Sequence, residues 1–332
     1  MFEVITRWNL ARPETDFNIE IRNIEIRGYK KESFLTGEFA SKIKTKEIRV
    51  LSVSDIADYL CPERRDLYIK KGKNRPKGRT IKKTWGSVAG RVVENYIFNL
   101  VRDSSRRKNL NSYSEIRKNL DAFSNNFKAN HKSYFNELEE LKSRPDEAPG
   151  WLLRLLTYNG RAELGLKLLH NYLARDNSEI DKNDIKINKN DSLNLQPNAE
   201  EIGISSPVKP DFIIVKHKVV GDIKSGIGGF KDYYLLTCTG YALAYENQTK
   251  KDINFGIIYY FPTRYSKYAR PISFAQVYTF LINDSLRTYF KNIRNKAYEI
   301  VSRDAAPNFP AEKDHCPYCQ FYDICKHEGL SL

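Results

Sequence analysis

Long hydrophobic runs are missing from this chain. Nowhere in its 332 residues do about 18 apolar residues follow one another, so no segment reads as a membrane-spanning helix. The opening "MFEVITRWNLARPE" has no signal-peptide apolar core, and a cytoplasmic location is expected. Cysteine is scarce, five residues in all with three of them clustered, which argues against a disulfide framework and for metal or redox chemistry. No G-x4-G-K-[ST] phosphate loop occurs, so a helicase motor of that kind is excluded. Acidic residues are outnumbered, 41 against 55 Lys and Arg, and the net charge of +14 is the footprint of a polyanionic partner such as nucleic acid.

What is present is an ordinary globular composition, 41% apolar and 29% charged, long enough to bury a sizeable core. Neither a repeat nor a Pro-rich or Gly/Ser-rich linker divides it. Residues 1–50 mix short β-prone runs with charge and read as a peripheral lobe. At 52–70, "SVSDIADYLCPERRDLYIK" opens with Ser52 and an acid three residues on, a capping-box start, and Pro62 then restarts the helix. Residues 81–101 carry apolar residues on one helical face. The stretch 102–204 reads as a charged helical insertion, with a further helix at 149–174 and a polar surface loop at 176–200. Strands follow in "DFIIV", "VVGDIK" and, after a helix, "INFGIIYYF"; a helix is expected over "VYTFLINDSLRTYFKNIRNKAYEIV". The order describes an α/β protein with a mixed sheet flanked by helices.

The stretch "KPDFIIVKHKVVGDIKSG" carries the densest chemistry. Asp222 and Lys224 are two apart on a strand and share a face. A turn at Lys216-His217 pairs Val215 with Lys218 and sets Asp211 opposite Asp222, with Cβ atoms about 4.5–5.5 Å apart. Two close carboxylates repel unless a cation lies between them, and hard oxygen ligands suit Mg²⁺ or Mn²⁺. A metal so held could activate a water against a phosphodiester, with Lys224 orienting that water or stabilising developing charge.

The chain ends in "CPYCQFYDIC", a C-x2-C-x5-C array of Cys316, Cys319 and Cys325. Three thiolates leave a tetrahedral site open. Cys61, which precedes a helix-starting proline, is the candidate fourth ligand, because a helix N-terminus favours thiolate. Cys238 lies in an apolar helix and reads as core. A centre built from Cys61 and the tail would clasp the C-terminus onto the helix at 62–70, and all-thiolate ligation suits zinc or an iron-sulfur cluster alike. His315 and His327 flank the tail without an assigned role.

Pro210-Asp211, ten residues and then Asp222-Ile223-Lys224 resemble the PD-(D/E)xK signature of restriction-endonuclease-like nucleases. In that fold an upstream helix supplies a further ligand, and Glu94 in "GRVVENYI" fits the role, with Gly90 one turn earlier. RecB-type members add a helix with Gln, three residues, then Tyr; here Tyr241 matches and Thr237 stands in the Gln position. With the isolated Cys61-Pro62 and the cysteine tail, the chain resembles the RecB-type iron-sulfur nucleases, which include the nuclease domain of AddB and the CRISPR-associated "Cas four" family. Within the latter, "EIRGYK" and "LSVSDIADYLCPERRDLYIK" look like an archaeal subgroup of type I-A loci.

The resemblance implies a restriction-endonuclease-like core over 51–101 and 205–305, and a cysteine-rich tail over 306–332 carrying a 4Fe-4S cluster on Cys61, Cys316, Cys319 and Cys325. It implies a Mn²⁺- or Mg²⁺-dependent DNA exonuclease that can also cut internally, trimming prespacers in CRISPR adaptation beside the integrase proteins. Asp211, Asp222 and Glu94 would hold the metal, while Lys224 and Tyr241 complete the catalytic set. Single-stranded DNA ends are the expected substrate, with the basic run at 70–83 tracking phosphates and Trp85 stacking on bases. The family commonly uses histidine where this chain offers Glu94 or Gly90, which keeps a second expectation open: a catalytically weak or inactive DNA-binding subunit of the same complex. A zinc-stapled DNA-binding protein is a third.

Overall fold

The structure, a computed structural model, describes residues 4–5, 27–58, 61–71, 185–187, 194–215, 218–226, 230–262 and 276–331. Its strands are β1 (Val4–Ile5), β2 (Ile185–Ile187), β3 (Phe212–Ile214), β4 (Val219–Gly226), β5 (Phe255–Pro262) and β6 (Gln276–Leu281). Its helices are α1 (Glu38–Lys44), α2 (Val53–Ala57), α3 (Arg65–Lys71), α4 (Ala199–Ile202), α5 (Tyr233–Thr249), α6 (Asp284–Ser302) and α7 (Tyr322–His327). The strands form one mixed sheet in the order β1-β6-β5-β4-β3-β2, in which β4 and β5 run parallel and the other neighbours antiparallel.

The β3–β4 hairpin has the register that alternation and turn length require. Phe212 pairs with Gly221 and Ile214 with Val219, and the Lys218 amide donates to the Val215 carbonyl at 3.2 Å. One step beyond the ladder, the same register sets Asp211 opposite Asp222. Two glycines inside strands have a common cause. The ring of Phe212 lies across Gly221 and that of Phe280 across Gly256, each pair directly opposed in the sheet. A Cβ at residue 221 would fall 1.8 Å from the Phe212 ring, so only glycine lets the phenyl cover the strand beside the acidic pair. The Gly221→Ala change is expected to cost about 1–3 kcal/mol through overpacking. Thermal melting checks it, and the penalty should shrink when Phe212→Ala is added to relieve the clash.

Helix α5 connects the parallel strands β4 and β5 and packs on both, and α2 and α6 pack against α5 in turn. Gly240 in α5 permits the close approach, with Val53 of α2 and Phe290 of α6 at its surface. The core contains Leu51, Ile56, Leu67, Ile202, Leu243, Phe280 and Phe290. Leu35 and Ile43, from the stretch read as a peripheral lobe, are buried in that same core, and Val4–Ile5 pairs with β6 at a sheet edge. The Tyr298 hydroxyl accepts from the Leu51 amide and donates to the Gly203 carbonyl, each at 3.1 Å, welding α6 to Leu51 and to the last residues of the expected insertion.

Three sequence expectations change. Residues 276–281 form β6, and the helix begins only after Asn283, whose side chain accepts from the Leu286 amide at 2.9 Å. The strand's β-branched and aromatic content and the Asn cap divide what a single helical periodicity had merged. Residues 185–187 are a strand inside the stretch read as a surface loop. The Ser52–Asp55 capping box is present, but α2 ends at Ala57 and α3 starts at Arg65, so Pro62 sits in a turn rather than in the first turn of a helix. Arg64 is the reason. It adopts φ +57°, which no helix continues, and its guanidinium donates to the C-terminal carbonyls of α2 at Asp55 and Ile56. The helix expected over 81–101, that over 149–174 and the greater part of the charged insertion lie outside the described residues.

Candidate active site

Strand β4 carries Asp222 and Lys224 on one face, and the hairpin brings Asp211 to the same spot. The Lys224 Nζ lies 2.6 Å from Asp222 Oδ2, whose side chain is 3% exposed. Asp211 Oδ2 accepts the Ile223 amide at 2.6 Å, which fixes that carboxylate against the opposite strand. Burial alone would lower the Lys224 ammonium, but the charges of Asp222 and Asp211 outweigh it and hold the group well above its usual range. With no cation between the carboxylates the lysine is held as an ammonium. Its fitting role is electrostatic, facing a phosphate or a developing negative charge.

Helix α5 covers this corner with Tyr234 and Cys238, one turn apart. The Lys224 Nζ lies 5.8 Å from the Tyr234 ring centroid. Cys238 is wholly buried, with Sγ 3.7 Å from the Ile257 carbonyl, and burial followed by the charge of Asp222 pushes its thiol well up. It is an inert core thiol, as its apolar surroundings indicated. Tyr241 is half-buried against the core. Thr237, in the Gln position, is buried, and its hydroxyl reaches back to the Tyr233 carbonyl at 3.4 Å, so it serves its own helix. Glu94 and Gly90 lie outside the described residues, as do Trp85 and nearly all of the basic run. Two carboxylates are therefore what the described residues contribute here, and among them no three His, Cys, Asp or Glu side chains are gathered as around one metal ion.

The four candidate cysteines are free thiols. Cys61 and Cys316 are buried, and Cys319 and Cys325 half-buried. Cys61 opens the Cys61–Arg64 turn, in which the Arg64 amide returns to its carbonyl at 2.9 Å. It lies short of the α3 N-terminus, so the helix-dipole argument for its thiolate does not hold. Burial first and then Cys61 push up the Cys316 thiol; burial pushes Cys319 up to about 11 and raises Cys325 as well, with Cys61 among the further causes in both. The Phe321 amide donates to Cys319 Sγ at 3.4 Å, an N–H···S contact that lowers the cost of a thiolate. The donor set is soft, but in this arrangement no three of the four thiols are gathered as around one metal centre.

The tail is held by α3 through contacts that involve no cysteine, a feature the sequence did not announce. Arg65, 8% exposed, donates to the Pro307 carbonyl and to Glu328, the latter at 2.6 Å, and its guanidinium lies 4.2 Å from the Phe309 ring centroid. The Tyr68 hydroxyl donates to the Asp304 carbonyl at 2.8 Å and Lys71 Nζ to that of Arg303 at 2.6 Å. The polar spacing of "RRDLYIKK" was the available signal, since Arg65, Tyr68 and Lys71 recur every three residues on one helix face. Arg65→Ala is expected to release the tail, because charge-assisted hydrogen bonds contribute about 1.5–3 kcal/mol each. Limited proteolysis should then cut within 303–331 markedly faster than in the unaltered chain.

Residues 194–328 match the family model described as Csa1, CRISPR-associated exonuclease. A CRISPR-associated exonuclease Csa1 of Saccharolobus solfataricus is 28% identical over 118 residues, covering 36% of this chain and 38% of that relative. The chain thus aligns with well under half of the relative's length. The family match takes in Asp211, Asp222, Lys224, Tyr241 and the three tail cysteines, but stops short of Cys61 and Glu94. No solved structure matches the chain.

Proposed function

We propose that the chain is a metal-dependent DNA nuclease of the PD-(D/E)xK kind, acting on DNA ends during CRISPR adaptation. The observation that carries this reading is the convergence of Asp211, Asp222 and Lys224 on one hairpin, within the stretch that resembles a CRISPR-associated exonuclease family. Carboxylate oxygens suit Mg²⁺ or Mn²⁺, and such an ion, when bound, supplies Lewis-acid polarisation of the phosphodiester and an acidified water. Asp211 and Asp222 would hold it, with Glu94 as the upstream ligand. Asp211 is already aimed by the Ile223 amide, which reduces reorganisation on loading. Lys224 contributes a fixed positive charge beside the phosphate.

Cys61, Cys316, Cys319 and Cys325 would hold a 4Fe-4S cluster, which supplies either a structural staple or an electron-transfer centre. A prespacer-trimming role beside the integrase proteins, in the cytoplasm, completes the reading. None of the described helices is long and apolar enough to cross a membrane. One observation favours the second reading, a DNA-holding subunit that does not cut: Thr237 replaces the expected Gln, and its hydroxyl is committed to its own helix.

The test is degradation of end-labelled single-stranded DNA by anaerobically purified protein, with and without Mn²⁺, alongside iron and sulfide analysis. Metal-dependent shortening of the label from iron-replete protein supports the nuclease. Intact DNA from the same protein establishes the holding subunit, and protein that contains zinc in place of iron removes the cluster from the account.

A further inference from the structure

Five aromatic rings gather where β4 ends and α5 begins. Phe230 lies 4.1 Å from Tyr278, and Tyr234 lies 5.7 Å from Phe230, 4.8 Å from Tyr233 and 6.3 Å from Tyr260, centroid to centroid. They form two layers. Tyr234 and Tyr260 are buried, and Phe230, Tyr233 and Tyr278 form a half-buried rim. The rim is not fixed by apolar packing alone, since the Tyr233 and Tyr234 hydroxyls are hydrogen-bonded to each other. A plain core would gain nothing from so many hydroxyls, each of which needs a partner once buried.

The rings are placed by the same register that builds the acidic pair. Lys224 is opposite Tyr260, and Asp222 is opposite Ile258, which is opposite Tyr278. Asp222, Ile258 and Tyr278 therefore form one row across the sheet, with the tyrosine two strands, or about 10 Å, from the carboxylate. The Lys224 ammonium lies 2.6 Å from Asp222 Oδ2 and 5.8 Å from the Tyr234 centroid. A cation beside flat rings is complementary to a nucleotide, with its phosphate on one side and its base on the other, and the chain's net charge of +14 favours such a partner. Bases inside a duplex have both faces covered by their neighbours. An unpaired base has a face to offer.

We propose that Phe230, Tyr233 and Tyr278 form a platform on which an unpaired base of single-stranded DNA stacks beside the carboxylate pair. The proposal rests on the nuclease reading for the position of the phosphate and goes beyond it by assigning the residues that select single strands. Stacking of one base on an aromatic side chain corresponds to a change of about 5- to 150-fold in affinity when the ring is lost.

The experiment measures binding of the full chain, in EDTA, to a short single-stranded oligonucleotide with a terminal 2-aminopurine, whose fluorescence is quenched by stacking. Phe230→Leu, Tyr233→Leu and Tyr278→Leu each keep apolar volume while removing the ring, and melting curves identify those that fold as the parent does. The expected result is a loss of affinity of about 5- to 150-fold, with loss of quenching, in the folded Leu variants. Tyr233→Phe should retain both, and a blunt duplex should bind weakly and without regard to these changes. Folded Leu variants that bind and quench like the parent overturn the platform. So does a Tyr233→Phe loss as large as that of Tyr233→Leu, which would assign the effect to the hydroxyl contact with Tyr234. Cleavage is scored separately: stacking losses in a protein that never cuts DNA support the platform while sinking the nuclease.

Discussion

Asp222→Asn is expected to lower metal-dependent DNA cleavage by at least about 100-fold while leaving the protein folded. Asn is the informative replacement. Asp222 is nearly inaccessible and sits 2.6 Å from Lys224, so alanine would strand an ammonium in a largely buried place and confuse lost chemistry with lost stability. The amide keeps the shape and can still meet the lysine, but it withdraws one of the two negative charges that attract a cation. A second readout needs no DNA: adding Mn²⁺ should raise the melting temperature of the parent protein through ligand linkage and leave that of the Asn variant unmoved. Cleavage by the Asn variant at the parental rate would place the active site elsewhere. A Mn²⁺-dependent melting shift that survives the substitution would remove Asp222 from the metal site even if activity fell.

The largest effect on stability is expected from the ion pair behind the sheet. Glu246 on α5 is completely buried and Arg287 on α6 is 4% exposed; they meet in a bidentate contact of 2.6 and 2.8 Å. The pair is closed on all sides. Arg287 also donates to the carbonyls of Ile282 and Ile253, and Glu246 accepts the Ile253 amide. Gly28 lies against the glutamate, where a Cβ would come within 2.6 Å of its own. Arg287→Ala leaves a buried carboxylate without its counter-charge, which costs about 3–5 kcal/mol and should lower the melting temperature by on the order of 10 °C. Replacing both residues with Met should be milder than either single change, since it removes two charges together. A single variant that melts within a degree or two of the parent would show that water reaches the site and that the pair is not isolated.

The Asp211–Asp222 facing was legible in the sequence because it depends on local rules, alternation along a strand and the length of one turn. So was the Ser52 cap. The separation of β6 from α6 was not, because "VYTFL" satisfies both periods and only Asn283, read as a cap, would have divided them. Glu246 and Arg287 stand 41 residues apart on two helices with ordinary polar faces, and no spacing rule joins them. Arg65 offered only a polar spacing on one helix face, since its partners at Pro307 and Glu328 are chosen by how the tail folds back. Local chemistry can be read along the chain, whereas closures between distant segments require the tertiary structure.

Those distant closures also bear on how the protein reaches its fold. The Leu51 amide finds its partner in Tyr298, 247 positions later, and Arg65 finds Pro307 across 242. Loop closure on that scale is entropically slow, and topologies dominated by it fold slowly. During synthesis the segment from Leu51 to Lys71 must wait, with Ile56 and Leu67 uncovered, until α5, α6 and the tail emerge. Partly made chains would therefore expose the very surface that the finished protein hides best, and that interval is when a chaperone has most to offer.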